Sequence, residues 1–375
     1  MGSRILILHA TVGTGHKTAA LALEKAFKMR GVEKVWVQDT LDYGSGVFRK
    51  MYADLYIELS ERTPELWGFA YRESNREQNR FERELRQLYS RIGVYKFDDL
   101  RTLRPDAVIC THFLPIDAAM NSLAPSGPRS PVYCVVTDFV GHPFWAHRDI
   151  AGTFVGNEMA RDMLVSHGVQ ADKIAVTGIP VDPDIAMAKD VAAIRRERTI
   201  SDGTVITLIG SAIDDDKVSH MVTGMLEREI AGSLYVVAGR NQTLQDNLRG
   251  LQGSAKLNLS VLGFIDYLDD LIAASDLVIS KSGGLITSEV MARGTPLLVV
   301  EPIRGQEEFN ADYVVTAGVG LQARVIDSVP YMVESLIKDP SRLAHMRENA
   351  LRTGRPRAAL DVADRVLKEI DAQGD

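Results

Sequence analysis

Short apolar segments alternate with amphipathic segments along most of the chain, and this alternation constrains the fold more than any other sequence feature. Alternating strands and helices are typical of parallel sheets with helices on both faces. The alternation in the first half of the chain repeats in the second. It predicts the strands Arg4–His9, Val35–Val37, Ala107–Cys110, Val132–Thr137, Gly152–Val155, Val205–Ile209, Ser233–Ala238, Leu259–Val261, Leu277–Ile279 and Pro296–Val300. The predicted helices are Thr18–Arg30, Val218–Glu229, Gln242–Gly250, Leu268–Ala274, Ile286–Arg293 and a C-terminal helix from Pro356.

The sequence therefore predicts an α/β protein with two doubly wound, Rossmann-like domains. A chain of 375 residues is longer than one ordinary core needs. A turn-rich stretch near Pro180, followed by charged and polar residues up to Gly203, marks the boundary. We predict one domain at residues 1–183, an interdomain linker at 184–202 and a second domain at 203–353. A C-terminal helix at 354–375 is a candidate to pack back on the first domain.

Charge and cysteine content exclude several classes of protein. The formal net charge of −7 argues against a general nucleic-acid binder. Cys110 and Cys134 lie in apolar, strand-like runs and are expected to be buried thiols, without metal-ligand spacing or a disulfide framework. Two buried thiols fit a reducing cytosol. No apolar run approaches the roughly 20 residues that span a bilayer, so any membrane contact is expected to be peripheral.

A glycine-rich turn follows the first predicted strand and presents Gly13, Gly15 and His16 at the start of a helix. Backbone N–H groups at such a helix start suit an anion. The turn matches neither a dinucleotide fingerprint, because Thr18 replaces the third glycine, nor a P-loop, because His16 separates Gly15 from Lys17. His16 lies at the carboxyl end of a strand, where ligands bind in α/β folds. A structural histidine and a general base both remain open from the residues alone.

A second polar cluster, Asp138, His142 and Trp145, follows the predicted strand Val132–Thr137. An aspartate beside a histidine can orient the imidazole for acid–base chemistry. A tryptophan near the surface can pack on a sugar or enter a lipid interface. The structural alternative is a loop with one buried tryptophan and a hydrogen-bonded aspartate.

The stretch Ser280–Asn310 predicts a nucleotide-sugar site. Gly283 and Gly284 open a helix and would let a phosphate approach the backbone. Thr287 and Ser288 can add hydroxyl donors, and Glu289 is placed to accept the hydroxyls of a ribose. After the next predicted strand, Gln306, Glu307 and Asn310 add amide and carboxylate groups that can bind sugar hydroxyls.

These residues resemble glycosyltransferase family 28, in the branch of monogalactosyldiacylglycerol synthases and processive diacylglycerol glucosyltransferases. The similarity extends from about residue 4 to about residue 350. It is carried by Gly13-Thr-Gly15-His16, Thr137-Asp138 with His142 and Trp145, Thr177-Gly-Ile-Pro180, Val237-Ala-Gly239-Arg240-Asn241, Gly263-Phe264-Ile265, Lys281-Ser282-Gly283-Gly284 through Glu289, and Pro302-Ile-Arg-Gly305-Gln306-Glu307 with Asn310-Ala311.

The resemblance implies a GT-B fold with its active site in the cleft between an acceptor-side first domain and a UDP-sugar-binding second domain. It implies an inverting transfer of glucose or galactose from a UDP-sugar to diacylglycerol or a glycosyldiacylglycerol, without metal or other cofactor. The protein would then be cytoplasmic and bound peripherally to the inner face of the cell membrane. His16 and Asp138 would be catalytic, and His142 and Trp145 would lie on the acceptor and membrane side. Donor binding would fall to Gly13, Gly15, Gly210, Ser211, Arg240, Phe264, Ile265, Ser282, Gly283, Gly284, Thr287, Glu289, Gln306 and Glu307.

Two positions depart from the family pattern. Ser282 stands where the family usually has proline. The loop that opens the second domain carries three acids, Asp214, Asp215 and Asp216, and such charges would repel a diphosphate unless they point away.

Residues 43–97 combine many aromatic and basic side chains. Between Arg49 and Lys96 there are ten basic and eight acidic residues, a modest local surplus in a chain of net charge −7. Basic and aromatic character suits docking on an anionic membrane surface. Solvated helices with internal ion pairs are the alternative.

Other functions remain open from the sequence. A UDP-sugar 2-epimerase on the same architecture would convert its substrate without a lipid. A membrane-associated sensor would bind the nucleotide sugar without turnover. Within transferases, a different lipid-linked or small-molecule acceptor is a further alternative.

Overall fold

The computed structural model describes residues 2–11, 13–44, 97–122, 130–228, 230–251 and 253–374. Within these ranges the chain forms two six-stranded sheets, and every recorded strand pair in them is parallel. The predicted α/β class with two doubly wound sheets is confirmed.

The first sheet contains six strands in the order β2-β1-β3-β4-β5-β6. The central strands are buried along nearly their whole length, as expected for a parallel sheet covered on both faces. The strands are β1 Arg4–His9, β2 Lys34–Asp39, β3 Ala107–Cys110, β4 Val132–Val135, β5 Gly152–Val155 and β6 Ile174–Val176. The helices that accompany them are α1 Gly15–Met29, α2 Asp98–Thr102, α3 Leu114–Ser122 and α4 Glu158–Ser166.

The second sheet repeats the arrangement in the order β12-β11-β10-β7-β8-β9. Its strands are β7 Val205–Ile209, β8 Gly232–Gly239, β9 Leu257–Gly263, β10 Leu277–Ser280, β11 Leu297–Val300 and β12 Gly320–Ala323. The remaining helices are α5 Val191–Glu197, α6 Asp215–Glu227, α7 Gln242–Arg249, α8 Leu268–Ala274, α9 Gly284–Ala292, α10 Gln306–Thr316, α11 Val329–Ile337, α12 Pro340–Thr353 and α13 Ala358–Gly374. Short 3-10 helices lie at Thr40–Tyr43, Pro143–Trp145, Ala171–Lys173, Pro183–Ala186 and Ile326–Ser328.

The described residues group into two compact units. Residues of 1–184, 304–309 and 357–375 form the first unit, and residues of 185–303 and 310–356 form the second. Each unit has its own apolar core. The first is built around Leu6, Leu8 and Val108, and the second around Ile206, Leu208 and Leu298.

The C-terminal helix α13 belongs to the first unit. It packs on α1, and Arg30, the C-cap residue of α1, donates hydrogen bonds to Asp364 of α13 at 2.5 and 2.9 Å. Further along α13, Glu369 accepts a hydrogen bond of 2.8 Å from the hydroxyl of Tyr133, a fully buried residue of β4. The last helix is therefore tied both to a neighbouring helix and to the sheet.

The structure also bears on membrane insertion. Over the described residues, no helix is both long enough and apolar enough to cross a bilayer.

Replacing Tyr133 with phenylalanine removes the hydroxyl that Glu369 accepts and keeps the buried ring. A hydrogen bond of this kind contributes about 1 kcal/mol, so we expect the melting temperature of Tyr133→Phe to fall by roughly 2–4 °C. Tyr331→Phe is the matched control, because Tyr331 is 60% exposed and its ring contact with Arg228 survives the change. Equal melting temperatures for wild type and both variants would show that α13 is not held by this bond.

Candidate active site

The predicted donor residues of the second sheet lie at one edge. Strands β11, β10, β7, β8 and β9 are consecutive neighbours and run parallel, so their carboxyl ends meet at the same edge. The residues that follow these ends are Gly210 and Ser211 after β7, Arg240 after β8, Phe264 and Ile265 after β9, and Ser282, Gly283 and Gly284 after β10. Gln306 and Glu307 start α10, in a stretch that belongs to the first unit. The parallel topology therefore gathers residues that are far apart in sequence.

The glycine turn after β10 opens helix α9. Gly283 is the N-cap residue, and among the described residues no side chain caps this helix, so its first N–H groups lack the side-chain acceptor that usually takes one of them. Other helices of the same unit have such caps, for example α7 with Asn241 and α12 with Asp339. An uncapped helix start after a parallel strand suits an anionic ligand.

Thr287 and Ser288, whose hydroxyls were predicted to donate to a ligand at this turn, differ in their hydrogen bonding. Ser288 donates to the carbonyl oxygen of Gly284 at 2.7 Å, a bond within the helix, so its predicted role as a ligand donor has no support in this conformation. The Oγ1 atom of Thr287 is buried and has no hydrogen-bond partner within the part of the chain that the structure describes. Glu289 lies in the second turn of α9 and is half-buried.

Two of the three acids in the loop after β7 have local partners. The side chain of Asp214 caps α6 by accepting from the N–H of Lys217 at 3.2 Å. Asp215 accepts from the side-chain amide of Asn241 at 2.7 Å. Lys217 also forms an ion pair with Glu301 at the end of β11. Asp214 and Asp215 are therefore held by local hydrogen bonds to neutral groups.

Arg240 and Phe264 form a pair at the same edge. The guanidinium of Arg240 lies 4.7 Å from the centre of the Phe264 ring, a distance typical of a cation–π contact. Phe264 is 66% exposed, and the neighbouring Ile265 packs against buried residues of the unit. Gly239 before them adopts a φ of +59°, a left-handed conformation that favours glycine and turns the chain toward this pair.

His16 is held firmly at the edge of the first sheet. Its Nδ1 atom lies 2.8 Å from the carbonyl oxygen of Thr111 and 3.0 Å from the hydroxyl of Thr137. The hydroxyl of Thr111 donates in turn to the carbonyl oxygen of His16 at 2.9 Å. Since a carbonyl can only accept, Nδ1 carries the proton and Nε2 carries the lone pair.

The pKa of His16 is lowered to about 4, chiefly because burial penalises the charged imidazolium. The hydrogen bond to Thr111 opposes this shift, and the nearby His9 adds to it. The imidazole is therefore neutral at neutral pH, with Nε2 in the form that can accept a proton.

An aromatic cluster surrounds His16. The ring of His112 lies 4.5 Å away, edge to face, and the ring of Trp145 lies 6.2 Å away. His112 accepts from the N–H of Leu114 at 3.0 Å, and burial holds the pKa of its imidazole well below the usual value. Thr111 and His112 are not among the site residues predicted from the sequence. Both residues directly follow the predicted strand Ala107–Cys110, and this position after a strand end could have indicated them as site residues.

Asp138 and Gln306, predicted in separate roles, are joined in the first unit. The side-chain amide of Gln306 donates to both carboxylate oxygens of Asp138, at 3.0 and 2.9 Å. Asp138 is only 4% exposed. In this conformation the amide of Gln306 is therefore bonded to a carboxylate, and a sugar would have to compete for it.

His142 and Trp145 are both buried, at 0% and 3% exposure. His142 accepts from the N–H of Phe144, and Trp145 packs in the core of the first unit. The loop is pressed on α4, because a Cβ atom at Gly141 would lie 2.3 Å from the carbonyl oxygen of Ala160. Trp145 therefore does not lie at the surface, where it could enter a lipid interface, as one interpretation of the sequence expected. Assignment of both residues to the acceptor side stays a prediction.

Two sequence predictions concern membrane and metal contacts. The basic and aromatic segment lies largely in residues 45–96, outside the described residues, so membrane docking through it stays a prediction. Across the described parts of the chain, no group of three His, Cys, Asp or Glu side chains is placed to hold a metal ion.

The low pKa of His16 implies that the free energy of unfolding depends on pH. The unfolded imidazole binds a proton near pH 6.5 and the folded one near pH 4, so the unfolded chain binds more protons between these values. Stability is therefore lost as the pH falls through this window. We expect the free energy of unfolding to fall less between pH 7 and pH 5 in His16→Gln than in wild type, by about 2 kcal/mol.

Urea unfolding at the two pH values measures this difference, and ¹⁵N NMR of the imidazole reports the protonated nitrogen. Parallel pH dependence in the two proteins, or a proton on Nε2, would contradict the assignment.

Two family models match the chain in succession. Residues 16–181 match the monogalactosyldiacylglycerol (MGDG) synthase family, and residues 214–366 match the glycosyltransferase family 28 C-terminal domain. The two matches include His16, Asp138, Gly283, Glu289 and Gln306, whereas Gly13, Gly15, Gly210 and Ser211 lie outside them.

Curated relatives match over nearly the whole chain. A processive diacylglycerol beta-glucosyltransferase of Bacillus cytotoxicus is 29% identical over 378 aligned positions, which cover 99% of this chain and 95% of the relative. The protein of the same name from Bacillus mycoides is also 29% identical, with the same shares of both chains.

Solved structures share the fold. MurG of Acinetobacter baumannii has a TM-score of 0.64 at 16% identity, over 98% of this chain and 99% of the other. The UDP-GlcNAc 2-epimerase of Neisseria meningitidis has a TM-score of 0.60 at 17% identity, over 97% and 100%. These likenesses bear on the fold alone, and they confirm the GT-B type. The two family models and the curated relatives, taken together, show that the chain is similar to glycosyltransferase family 28, in the branch of monogalactosyldiacylglycerol synthases and processive diacylglycerol glucosyltransferases.

Proposed function

We propose that this protein is a UDP-sugar-dependent hexosyltransferase that moves glucose or galactose to diacylglycerol or a glycosyldiacylglycerol and so makes membrane glycolipid. The full-length similarity to diacylglycerol glucosyltransferases supports the reaction and the acceptor. The structural observation that carries the proposal is the neutral His16, with its Nε2 lone pair set by the bond from Nδ1 to Thr111.

The donor would bind at the carboxyl edge of the second sheet. Gly283 and Gly284 at the start of α9 would hold the diphosphate, and Glu289 would accept from the ribose hydroxyls. Gln306 and Glu307 would bind the hexose. The N–H groups of the glycine turn are fixed before the donor arrives, so they can stabilise the charge that develops on UDP as it leaves.

The transfer would be a single displacement. His16 Nε2 takes the proton of the acceptor hydroxyl while that oxygen attacks the anomeric carbon, and the bond from that carbon to UDP breaks. An α-linked donor would yield a β-glycoside. No metal or organic cofactor is needed in this scheme, because backbone N–H groups carry the role of stabilising the leaving group.

Asp138 is proposed to act together with Gln306. Its carboxylate holds the amide of Gln306 at 3.0 and 2.9 Å. A carboxylate in this position can orient the amide toward a hexose, or accept a sugar hydroxyl once the amide has moved. Loss of either member should therefore affect hexose recognition before it affects UDP binding.

Membrane contact is part of the proposal, because diacylglycerol resides in a bilayer. We place the protein on the cytoplasmic side of the cell membrane, associated peripherally through basic and aromatic residues on the acceptor side, with no nucleic acid as a partner.

One assay panel tests the proposed reaction. The protein is incubated with radiolabelled UDP-glucose, UDP-galactose or UDP-GlcNAc, with and without diacylglycerol in anionic vesicles, and with and without EDTA. We expect a labelled glycolipid only when lipid is present, from a UDP-hexose, and at an unchanged rate in EDTA. Conversion of the UDP-sugar without lipid would instead identify an epimerase. Binding without any product would identify a sensor.

His16→Ala tests the proposed base. Because the imidazole is assigned to the acceptor and not to UDP, we expect transfer to fall by at least a hundredfold while the Kd for UDP stays within about twofold of wild type. His345→Ala is the control, since His345 is an exposed histidine of the second unit. Near-normal turnover of His16→Ala would rule out the assignment.

A further inference from the structure

Asn310 is a polar side chain enclosed by the protein. It lies in α10, is fully buried, and donates from Nδ2 to the carbonyl oxygen of Ser282 at 3.0 Å. Asparagine is seldom fully buried, and a buried amide costs several kcal/mol unless it is hydrogen-bonded. The bond to Ser282 joins a helix side chain to a loop backbone 28 residues earlier in the chain.

The carbonyl that accepts from Asn310 lies in the turn between β10 and α9. Ser282 is itself fully buried and stands between strand β10 and the N-cap residue Gly283. The next carbonyl, that of Gly283, already accepts the first helical bond from the N–H of Thr287 at 3.0 Å. The carbonyl of Ser282 directly precedes the N-cap residue of α9, and the side-chain amide of Asn310 donates to it.

The hydrogen bond that fixes the Ser282 carbonyl also fixes the direction of the Gly283 N–H group. The peptide between Ser282 and Gly283 is trans and planar, as no cis peptide is present among the described residues. In a trans peptide the C=O and the following N–H point in opposite directions. Since the fully buried Asn310 holds the carbonyl, the N–H of Gly283 points away from Asn310.

We propose that Asn310 is a positioning residue for donor binding: it fixes the Ser282–Gly283 peptide so that the N–H of Gly283 faces the diphosphate of the UDP-sugar. This inference rests on the proposed function and adds to it a residue that would act without touching the donor. Asn310 and Ser282 both lie in the second unit, so the anchor and the turn that it holds belong to the same compact part of the chain.

The test compares the affinities of the full-length protein for UDP and for uridine. In Asn310→Leu, which keeps the number and branching of the side-chain heavy atoms but cannot donate, we expect the Kd for UDP to rise about tenfold, the equivalent of roughly 1.4 kcal/mol. The Kd for uridine should change less than twofold, because uridine has no phosphate. Calorimetry gives the UDP affinity, and NMR titration gives the weaker uridine affinity.

Asn349→Leu is a matched control. The amide of Asn349 also donates to a backbone carbonyl of the second unit, that of Gly318, at 3.1 Å. We expect this variant to lose stability without a change in the ratio of UDP to uridine affinity. If Asn310→Leu does not fold, Asn310→Ser, which is smaller and cannot reach as far, takes its place in the same comparison.

The outcomes separate the inference from the proposed function. Failure of the wild type to bind UDP would overturn the proposed function. Binding of UDP by the wild type and by a folded Asn310 variant with equal affinity would overturn the positioning role alone. A parallel loss of UDP and uridine affinity would show that Asn310 only supports the fold.

Discussion

The parallel direction of all paired strands is the constraint on which the rest of the structure depends. In a parallel sheet every strand ends at the same edge, so short polar segments from distant parts of the sequence meet there. In the second unit this edge brings together the loops after β7, β8, β9, β10 and β11. In the first unit it places His16, Thr111 and Thr137 within hydrogen-bonding distance. The helices between the strands contribute the starting turns, whose free N–H groups are the natural partners of an anion.

The same edge determines the electrostatics of His16. Its Nδ1 atom meets a backbone carbonyl, which fixes the tautomer but adds less stabilisation to the imidazolium than a carboxylate would. Burial then dominates and lowers the pKa to about 4. The protein thus keeps the imidazole uncharged across the neutral range and leaves Nε2 ready to accept a proton. A base with such a low pKa is weak in the resting state, so its contribution would come from placement as much as from basicity.

Sequence reasoning succeeded where the pattern is long and regular. The strands Arg4–His9, Ala107–Cys110, Gly152–Val155 and Val205–Ile209 and the helix Leu268–Ala274 have the predicted bounds. It missed β6, which has only three residues, and β12, which begins with a glycine and contains Gln322, because neither presents a distinct apolar run. The sequence was enough to predict which residues follow the strand ends and which chemical groups they carry. Their partners could not be predicted, because the bond between Gln306 and Asp138 spans 168 positions and no local pattern records it.

Ser282 differs from the residue usual in the family, but the hydrogen bond that Asn310 makes at this position does not depend on the side chain there. The family usually has proline at this position, which looked like a break in the donor motif. The contact that Asn310 makes, however, is with the carbonyl oxygen of residue 282, and proline and serine supply the same carbonyl. Proline would restrict φ at this position, whereas serine leaves it free. A chain with serine therefore depends more on the Asn310 anchor to hold the peptide in one orientation. The exchange at residue 282 thus moves part of the rigidity of the turn from the backbone ring of proline to a hydrogen bond from α10.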